Sequence, residues 1–157
     1  MTTIIRRRGR SLNDARRWLR QRLDAGVECP CCGQFAKRYR RQLNSGMALA
    51  LVVFYRECGT QWGYKPDVLR GLGAAARDES LLRHWGLLEE ATEDREDGGR
   101  AGWWRVTPKG KAFVQGELSV RKKLVIYNNF PEGFEGRMTT VQQALGYRFR
   151  LDDLMSA

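Results

Sequence analysis

The chain has 157 residues, 42% of them hydrophobic, and a formal net charge of +10. This length suffices for one domain with its own core and is too short for two ordinary domains, and the hydrophobic content excludes a fully disordered chain. The longest apolar run, residues 47–55, has nine residues, whereas a bilayer-spanning helix needs about 20. The Arg-rich N-terminus lacks the apolar core of a signal peptide, so we expect a cytoplasmic protein without membrane contact.

The positive charge is concentrated in the first quarter of the chain. Residues 1–41 contain 12 Arg or Lys and 3 Asp or Glu, whereas the remaining residues are nearly neutral. Such a block attracts polyanions by neutralising phosphates and releasing counterions. The alternatives are a solvated arm or a contact with a protein partner. We favour nucleic acid, and the arginines of this block that we expect to contact it are Arg6, Arg7, Arg8, Arg10, Arg16, Arg17, Arg20, Arg38, Arg40 and Arg41.

Residues 1–10 have no apolar pattern and are predicted to form a flexible basic arm. Ser11 is a typical helix N-cap, and Asp14 follows three residues later in capping-box position. The apolar residues beyond it recur at helical spacing as far as Leu23, with arginines mainly on the other faces. We therefore predict an amphipathic helix with one packed side and one basic side, which ends at Gly26.

The next segment is a turn that contains three of the four cysteines. Residues 29–33 read Cys-Pro-Cys-Cys-Gly and match the Cys-Pro-x-Cys-Gly pattern of a zinc knuckle, in which two thiolates converge on one ion. No second Cys-x-x-Cys follows, so Cys58 and His84 are the remaining conventional soft ligands. Three interpretations stay open: a zinc ion held by Cys29, Cys32, Cys58 and His84, a buried turn with reduced thiols, or an intermolecular or redox role.

The rest of the chain alternates helices and strands. We expect a strand at 38–43 to hydrogen bond back to the cysteine turn, and the next helix, apolar on every side, to form the centre of the core. If 103–106 is a strand, Trp103 and Trp104 point to opposite faces. The elements predicted after residue 43 are a helix at 44–57, a short extended piece and a helical turn within 58–76, a helix from 79 to about 85, a strand at 103–106, a helix at 108–115, a strand at 120–127 that turns at 128–129 and returns through 134, and a helix at 141–145.

Residues 81–90, joined by a polar hairpin to residues 103–113, resemble the second half of a winged-helix domain of the MarR and PadR type. In that family a helix ends in a Gly-Leu turn, here Gly86-Leu87, two strands form the wing, and a Leu-Thr-x-x-Gly-x-x segment starts the next helix. The resemblance covers about residues 45–115. It implies an α+β fold, a winged helix-turn-helix with an added basic N-terminal helix, a cysteine turn and a C-terminal β-hairpin plus short helix. An unrelated α+β domain with the same local pattern is the alternative.

The same resemblance gives the helix at 79–85 the recognition position, with Arg77, Arg83 and His84 as candidate base or phosphate contacts. The wing has the opposite charge, because residues 89–97 contain six carboxylates and one arginine. Phosphates would repel it. Either the wing points away from DNA, or the winged helix binds protein while the N-terminal block binds nucleic acid.

The whole chain also resembles a class of small proteins encoded by bacteriophages and prophages. The resemblance rests on Cys-Pro-Cys-Cys-Gly-Gln at 29–34, Trp-Arg-Val-Thr-Pro-Lys-Gly-Lys-Ala-Phe-Val at 104–114 and Val-Ile-Tyr-Asn-Asn at 125–129. It implies the host cytoplasm as the location and raises the expectation of a host-takeover or anti-defence role.

Nothing in the sequence predicts catalysis. His84, the single histidine, has no recognisable nucleophile or acid partner, and Gly71-Leu72-Gly73 lacks the third glycine of a dinucleotide loop. We predict a non-catalytic regulatory protein that binds nucleic acid, with DNA favoured and a homodimer allowed. The alternative is a protein-binding module that inhibits or redirects a host complex. The predicted organisation is an arm at 1–10, a basic helix and cysteine turn at 11–43, a winged-helix core at 44–117, and a hairpin and helix at 118–157 packed on the same domain.

Overall fold

The computed structural model describes residues 11–92 and 102–157. The predicted arm at 1–10 and residues 93–101, which include most of the predicted acidic wing, lie outside the described residues. Helices and small antiparallel sheets alternate along the chain, so the α+β class is confirmed. Across the two described ranges, no helix combines the length and the apolar character needed to cross a bilayer.

The helices and strands follow the predicted order closely. The elements are α1 (Leu12–Arg20), β1 (Val27–Glu28), β2 (Phe35–Ala36), β3 (Tyr39–Gln42), α2 (Ser45–Cys58), β4 (Gly63–Tyr64), α3 (Lys65–Val68), two 3₁₀ segments (Arg70–Ala75 and Glu79–Trp85), β5 (Leu88–Glu90), β6 (Trp103–Val106), α4 (Pro108–Val114), β7 (Val120–Tyr127), β8 (Phe130–Thr139), α5 (Val141–Leu145) and α6 (Leu151–Ser156).

The chain divides into two compact units. The first unit consists of residues 1–41 and 125–133, and the second of residues 42–124 and 134–157. The β7–β8 hairpin therefore contributes its tip to the first unit and its base to the second. The strands of the hairpin are joined by Asn128 and Asn129, whose φ angles of 50° and 65° suit a tight two-residue turn.

The core of the second unit is built around α2, as its apolar character predicts. The Asn44 side chain caps the helix by accepting a hydrogen bond from the Met47 N–H. Every side chain from Met47 to Phe54 is buried, which is the result expected of a helix without a polar face. Phe54 is fully buried, as are Leu82 and Phe113 of the same unit.

A three-stranded sheet in the order β4, β6, β5 completes the second unit. Trp104 and Val106 of β6 are buried, whereas Trp103 and Arg105 are partly exposed. The predicted alternation of Trp103 and Trp104 between the two faces is thus confirmed. The Thr107 side chain caps α4 by accepting a hydrogen bond from the Gly110 N–H.

The strand predicted at 38–43 exists as β3, but its predicted pairing is wrong. It belongs to a sheet in the order β3, β7, β8, and the Leu43 N–H donates to the Lys122 carbonyl at 2.8 Å. The two short strands of the cysteine turn, β1 and β2, pair with each other instead. Two strands that lie about 80 residues apart in the chain leave no local pattern that predicts their pairing. The cysteine turn lies next to β3 in the sequence and therefore suggested a pairing that β3 does not make.

The helix predicted from residue 79 is a 3₁₀ segment, Glu79–Trp85, and not an α-helix. Its buried side chains are Leu82 and Trp85, and this spacing of three suits a helix with three residues per turn. Left-handed residues stand at both ends, Asp78 with a φ of 60° and Gly86 with a φ of 72°. These two residues cap the segment at its start and at its end.

Candidate nucleic-acid interface and cysteine turn

Helix α1 separates apolar from basic side chains. The Ser11 hydroxyl caps the helix by accepting a hydrogen bond from the Asp14 N–H at 3.1 Å, as predicted. Ala15 is buried and Leu19 partly buried on one side. Arg16 and Arg20, four residues apart, share a neighbouring side of the helix, where both are exposed.

The arginines of α1 differ in whether their guanidinium groups contact another side chain of the protein. Arg16 and Arg20 make no ion pair or hydrogen bond with another described residue. Arg17 is exposed and lies 4.0 Å from the Asp14 carboxylate, which is at the limit of an ion pair. Arg22, beyond the helix, lies 4.3 Å over the Trp18 ring and donates a hydrogen bond to the Trp18 carbonyl. The guanidinium groups of Arg16 and Arg20 are thus the ones most open to a phosphate.

Arg38 and Arg40 have protein partners, unlike Arg16 and Arg20 of α1. Arg38 donates to Glu132 at 2.5 Å and to Asp24 at 3.0 Å, and Arg40 donates to Asp24 at 3.2 Å. The hydrogen bonds from Arg38 and then Arg40 lower the pKa of Asp24, while Glu132 and then Asp24 raise the pKa of Arg38. This cluster joins the two segments of the first unit. Arg41 is exposed and has no such partner among the described residues.

The second unit holds the remaining predicted contacts, Arg77 and Arg83. Arg77 is exposed next to the second 3₁₀ segment, and Arg83 lies 3.9 Å from Glu90. Burial and then the charge of Arg83 lower the pKa of His84, which favours the neutral imidazole. His84 is therefore a weaker candidate for a phosphate contact than the arginines. The predicted recognition position offers one unpaired cation in the described part of the chain, Arg77.

The cysteine turn has the backbone of a compact knuckle. Between β1 and β2, the Cys29 N–H donates to the Gln34 carbonyl at 2.7 Å and the Gly33 N–H donates to the Cys29 carbonyl at 2.8 Å. Gly33 closes the turn with a φ of 78°, which side-chain-bearing residues rarely adopt. Backbone hydrogen bonds from Cys32 and then Cys31 lower the pKa of the Cys29 thiol. Cys31 and Cys32 are exposed, and Cys29 is partly buried.

The other two predicted zinc ligands, Cys58 and His84, belong to the second unit. Burial and then the charge of Glu57 raise the pKa of the Cys58 thiol. Cys58 packs closely on β4, because a Cβ placed on Gly63 would lie 2.6 Å from the Cys58 sulfur. Within residues 11–92 and 102–157, no group of three or more His, Cys, Asp or Glu side chains is arranged to hold a metal ion. The four-ligand zinc site stays a prediction.

The structure also places a partly exposed aromatic surface on the outer face of β4 and β6. Tyr64 and Trp103 pair across the strands with ring centroids 5.7 Å apart. Arg105 lies 4.5 Å over the Trp62 ring and forms an ion pair with Glu89. A concavity of about 630 Å³ lies beside these residues. The sequence signal was the alternation of Trp62 and Tyr64 around the buried Gly63, which predicted an extended piece but no surface.

No known family model matches this chain. Searches of curated proteins and of solved structures likewise give no match. The winged-helix and bacteriophage resemblances therefore stay predictions that rest on their motifs.

Proposed function

We propose that the protein is a non-catalytic, regulatory nucleic-acid-binding protein that contacts phosphates through the basic side of α1 and the Arg-rich segment before it. The observation that carries this proposal is the pair Arg16 and Arg20, exposed on one side of a capped helix without a partner among the described side chains. Side chains four residues apart on a helix are neighbours, so both guanidinium groups can reach one stretch of backbone. Arg17 and Arg41 extend the basic surface within the same unit.

Contacts of this kind position a protein on nucleic acid and carry little sequence information. We expect binding that depends strongly on salt and weakly on base sequence. Arg38 has a different role in this proposal, because its ion pairs with Asp24 and Glu132 stabilise the first unit. Duplex DNA is the favoured ligand.

The element order of the second unit supports the winged-helix interpretation. Helix α2 is followed by β4, α3, the 3₁₀ segment at the recognition position, and the antiparallel pair β5 and β6, with β6 in the middle of the sheet. Leu82 and Trp85 of the 3₁₀ segment are buried, and Glu79 pairs with Lys65 at 2.9 Å. Few side chains of this segment are left to read bases, so we assign the second unit a supporting role in nucleic-acid binding.

A specific observation favours a second candidate function, the binding of a protein partner in a host-takeover or anti-defence role. Trp62 is 41% exposed and Tyr64 38% exposed on the outer face of the β4–β6 strands, beside Glu89 and Glu90. Aromatic surfaces of this kind are enriched at the centres of protein interfaces. Glu89 and Glu90 pair with Arg105 and Arg83, so this surface lacks the excess positive charge that a phosphate contact needs.

The test is a titration of labelled duplex DNA, single-stranded DNA and RNA with R16A/R20A and with R137A/R148A. Each double variant removes two positive charges at exposed positions, and Arg137 and Arg148 lie in the second unit. We expect R16A/R20A to weaken binding about tenfold for every sequence tested, because two phosphate contacts are lost. The control should bind like the original protein. Equal affinities for the two variants would contradict the proposal.

A further inference from the structure

The cysteine turn has the form of half a metal site. The chain direction reverses between β1 and β2 with Cys29 and Cys32 at the knuckle positions and Gly33 in the left-handed conformation. The Gly33 N–H donates to the Cys29 carbonyl at 2.8 Å and the Cys29 N–H donates to the Gln34 carbonyl at 2.7 Å, so the turn is tightly closed. The thiolate is the form of cysteine that binds metals. The turn therefore places two cysteines at the knuckle positions without supplying the other two ligands of a structural zinc site.

The turn is also open to a second molecule. Cys31 and Cys32 are exposed, and Phe35 on β2 is 64% exposed. Glu28 is the one charged residue among residues 27–36, in a unit that is otherwise strongly basic. Two turns can therefore approach each other without the repulsion that two α1 surfaces would cause.

We propose that one zinc ion joins two copies of the chain, with Cys29 and Cys32 of each copy completing a tetrahedral site of four thiolates. The site is incomplete without the second copy. Cys31 occupies the middle position of the motif and is not a ligand. Coordination releases the protons of those thiols that are not already ionised and changes no oxidation state.

The first unit has a small apolar core, so a bound metal would add to its stability. Three apolar side chains of the unit, Ala15, Leu23 and Val125, are buried among its described residues. Small units with few buried apolar side chains commonly need a metal, a disulfide or oligomerisation to be stable. A zinc-linked dimer provides two of these, the metal and the oligomerisation. It also doubles the number of basic surfaces, which raises avidity for a long polyanion.

The test uses the full chain, reduced with a phosphine and freed of metal by a chelator. Zinc is titrated while light scattering reports the molar mass, and cobalt replaces zinc for absorption spectroscopy. We expect one zinc for every two chains, a doubling of mass that a chelator reverses, and the cobalt spectrum of a tetrahedral thiolate site. Cys32→Ser should abolish all three, whereas Cys31→Ser, an equally exposed position in the same turn, should preserve them.

Cys58→Ser separates this proposal from a site within one chain, and it should leave zinc binding and dimerisation unchanged. One zinc per monomer, loss of zinc in Cys58→Ser, failure of the reduced chain to bind zinc, or a dimer that persists in chelator would each overturn the proposal. No nucleic acid is present in this assay, so its result is independent of the proposed function.

Discussion

The two units of the molecule differ in the number of buried apolar side chains and in net charge. Of the 25 buried hydrophobic residues in the described chain, three belong to the first unit, and the others lie in the second. The described residues of the first unit hold eight Arg or Lys against four Asp or Glu. Apolar burial thus stabilises the second unit, whereas the first depends on ion pairs, a tight turn and, in our proposal, a metal. A basic surface can spread over the first unit because little of it is needed for a core.

The contrast within the first unit matters as much as the contrast between units. Arg38 and Arg40 share Asp24, and Arg38 also binds Glu132, while Arg16 and Arg20 face solvent. Four arginines of the same basic block therefore fall into two classes. Arg38 and Arg40 form ion pairs that stabilise the unit, whereas Arg16 and Arg20 are available to bind a polyanion.

The largest expected effect comes from a matched pair of substitutions, Phe54→Ala in the second unit and Phe35→Ala in the first. Phe54 is fully buried, and its truncation leaves a cavity, so we expect the free energy of unfolding to fall by about 3–5 kcal/mol. Phe35 is 64% exposed, and its truncation should change that free energy by about 0.5 kcal/mol or less in the metal-free chain. Urea denaturation followed by tryptophan fluorescence measures both. Similar losses would show that stability is not concentrated in the second unit.

A smaller effect is expected from neutralising the acidic connection between β5 and β6. The variant E93Q/D94N/E96Q/D97N removes four negative charges from a segment that we expect to lie away from nucleic acid. Affinity for DNA should stay level or rise, by at most a few tenths of a kcal/mol for each charge. A binding titration at low salt detects the change. Loss of affinity would mean that this segment is required for binding and that our division of labour is wrong.

Elements with strong local signals could be predicted from the sequence. Helix α2 (Ser45–Cys58), which Asn44 caps, and β6, α4, β7 and α5 all lie within a residue of their predicted bounds. Thr107-Pro108 and Thr140 mark helix starts whatever the surrounding fold, because their side chains cap the backbone of the next turn. Local chemistry of this kind needs no knowledge of distant partners.

The features that the sequence did not predict depend on distant partners. β3 pairs with β7, about 80 residues further along, and Arg38 finds Glu132 after 94 residues. The charge pattern of the sequence therefore could not show that Arg38 is ion-paired whereas Arg16 is not. The choice between α and 3₁₀ at 79–85 was also open, since apolar residues spaced by three and four are compatible with either helix.

The most direct test of the central claim, that α1 supplies the phosphate contacts, is the salt dependence of DNA binding by the full chain and by R16A/R20A. Each lost phosphate contact lowers the slope of log K against log salt by about 0.9. We predict that the slope of the double variant is about 2 smaller in magnitude, with the same change on unrelated sequences. An unchanged slope would contradict the account, because the charges on α1 would then release no counterions on binding.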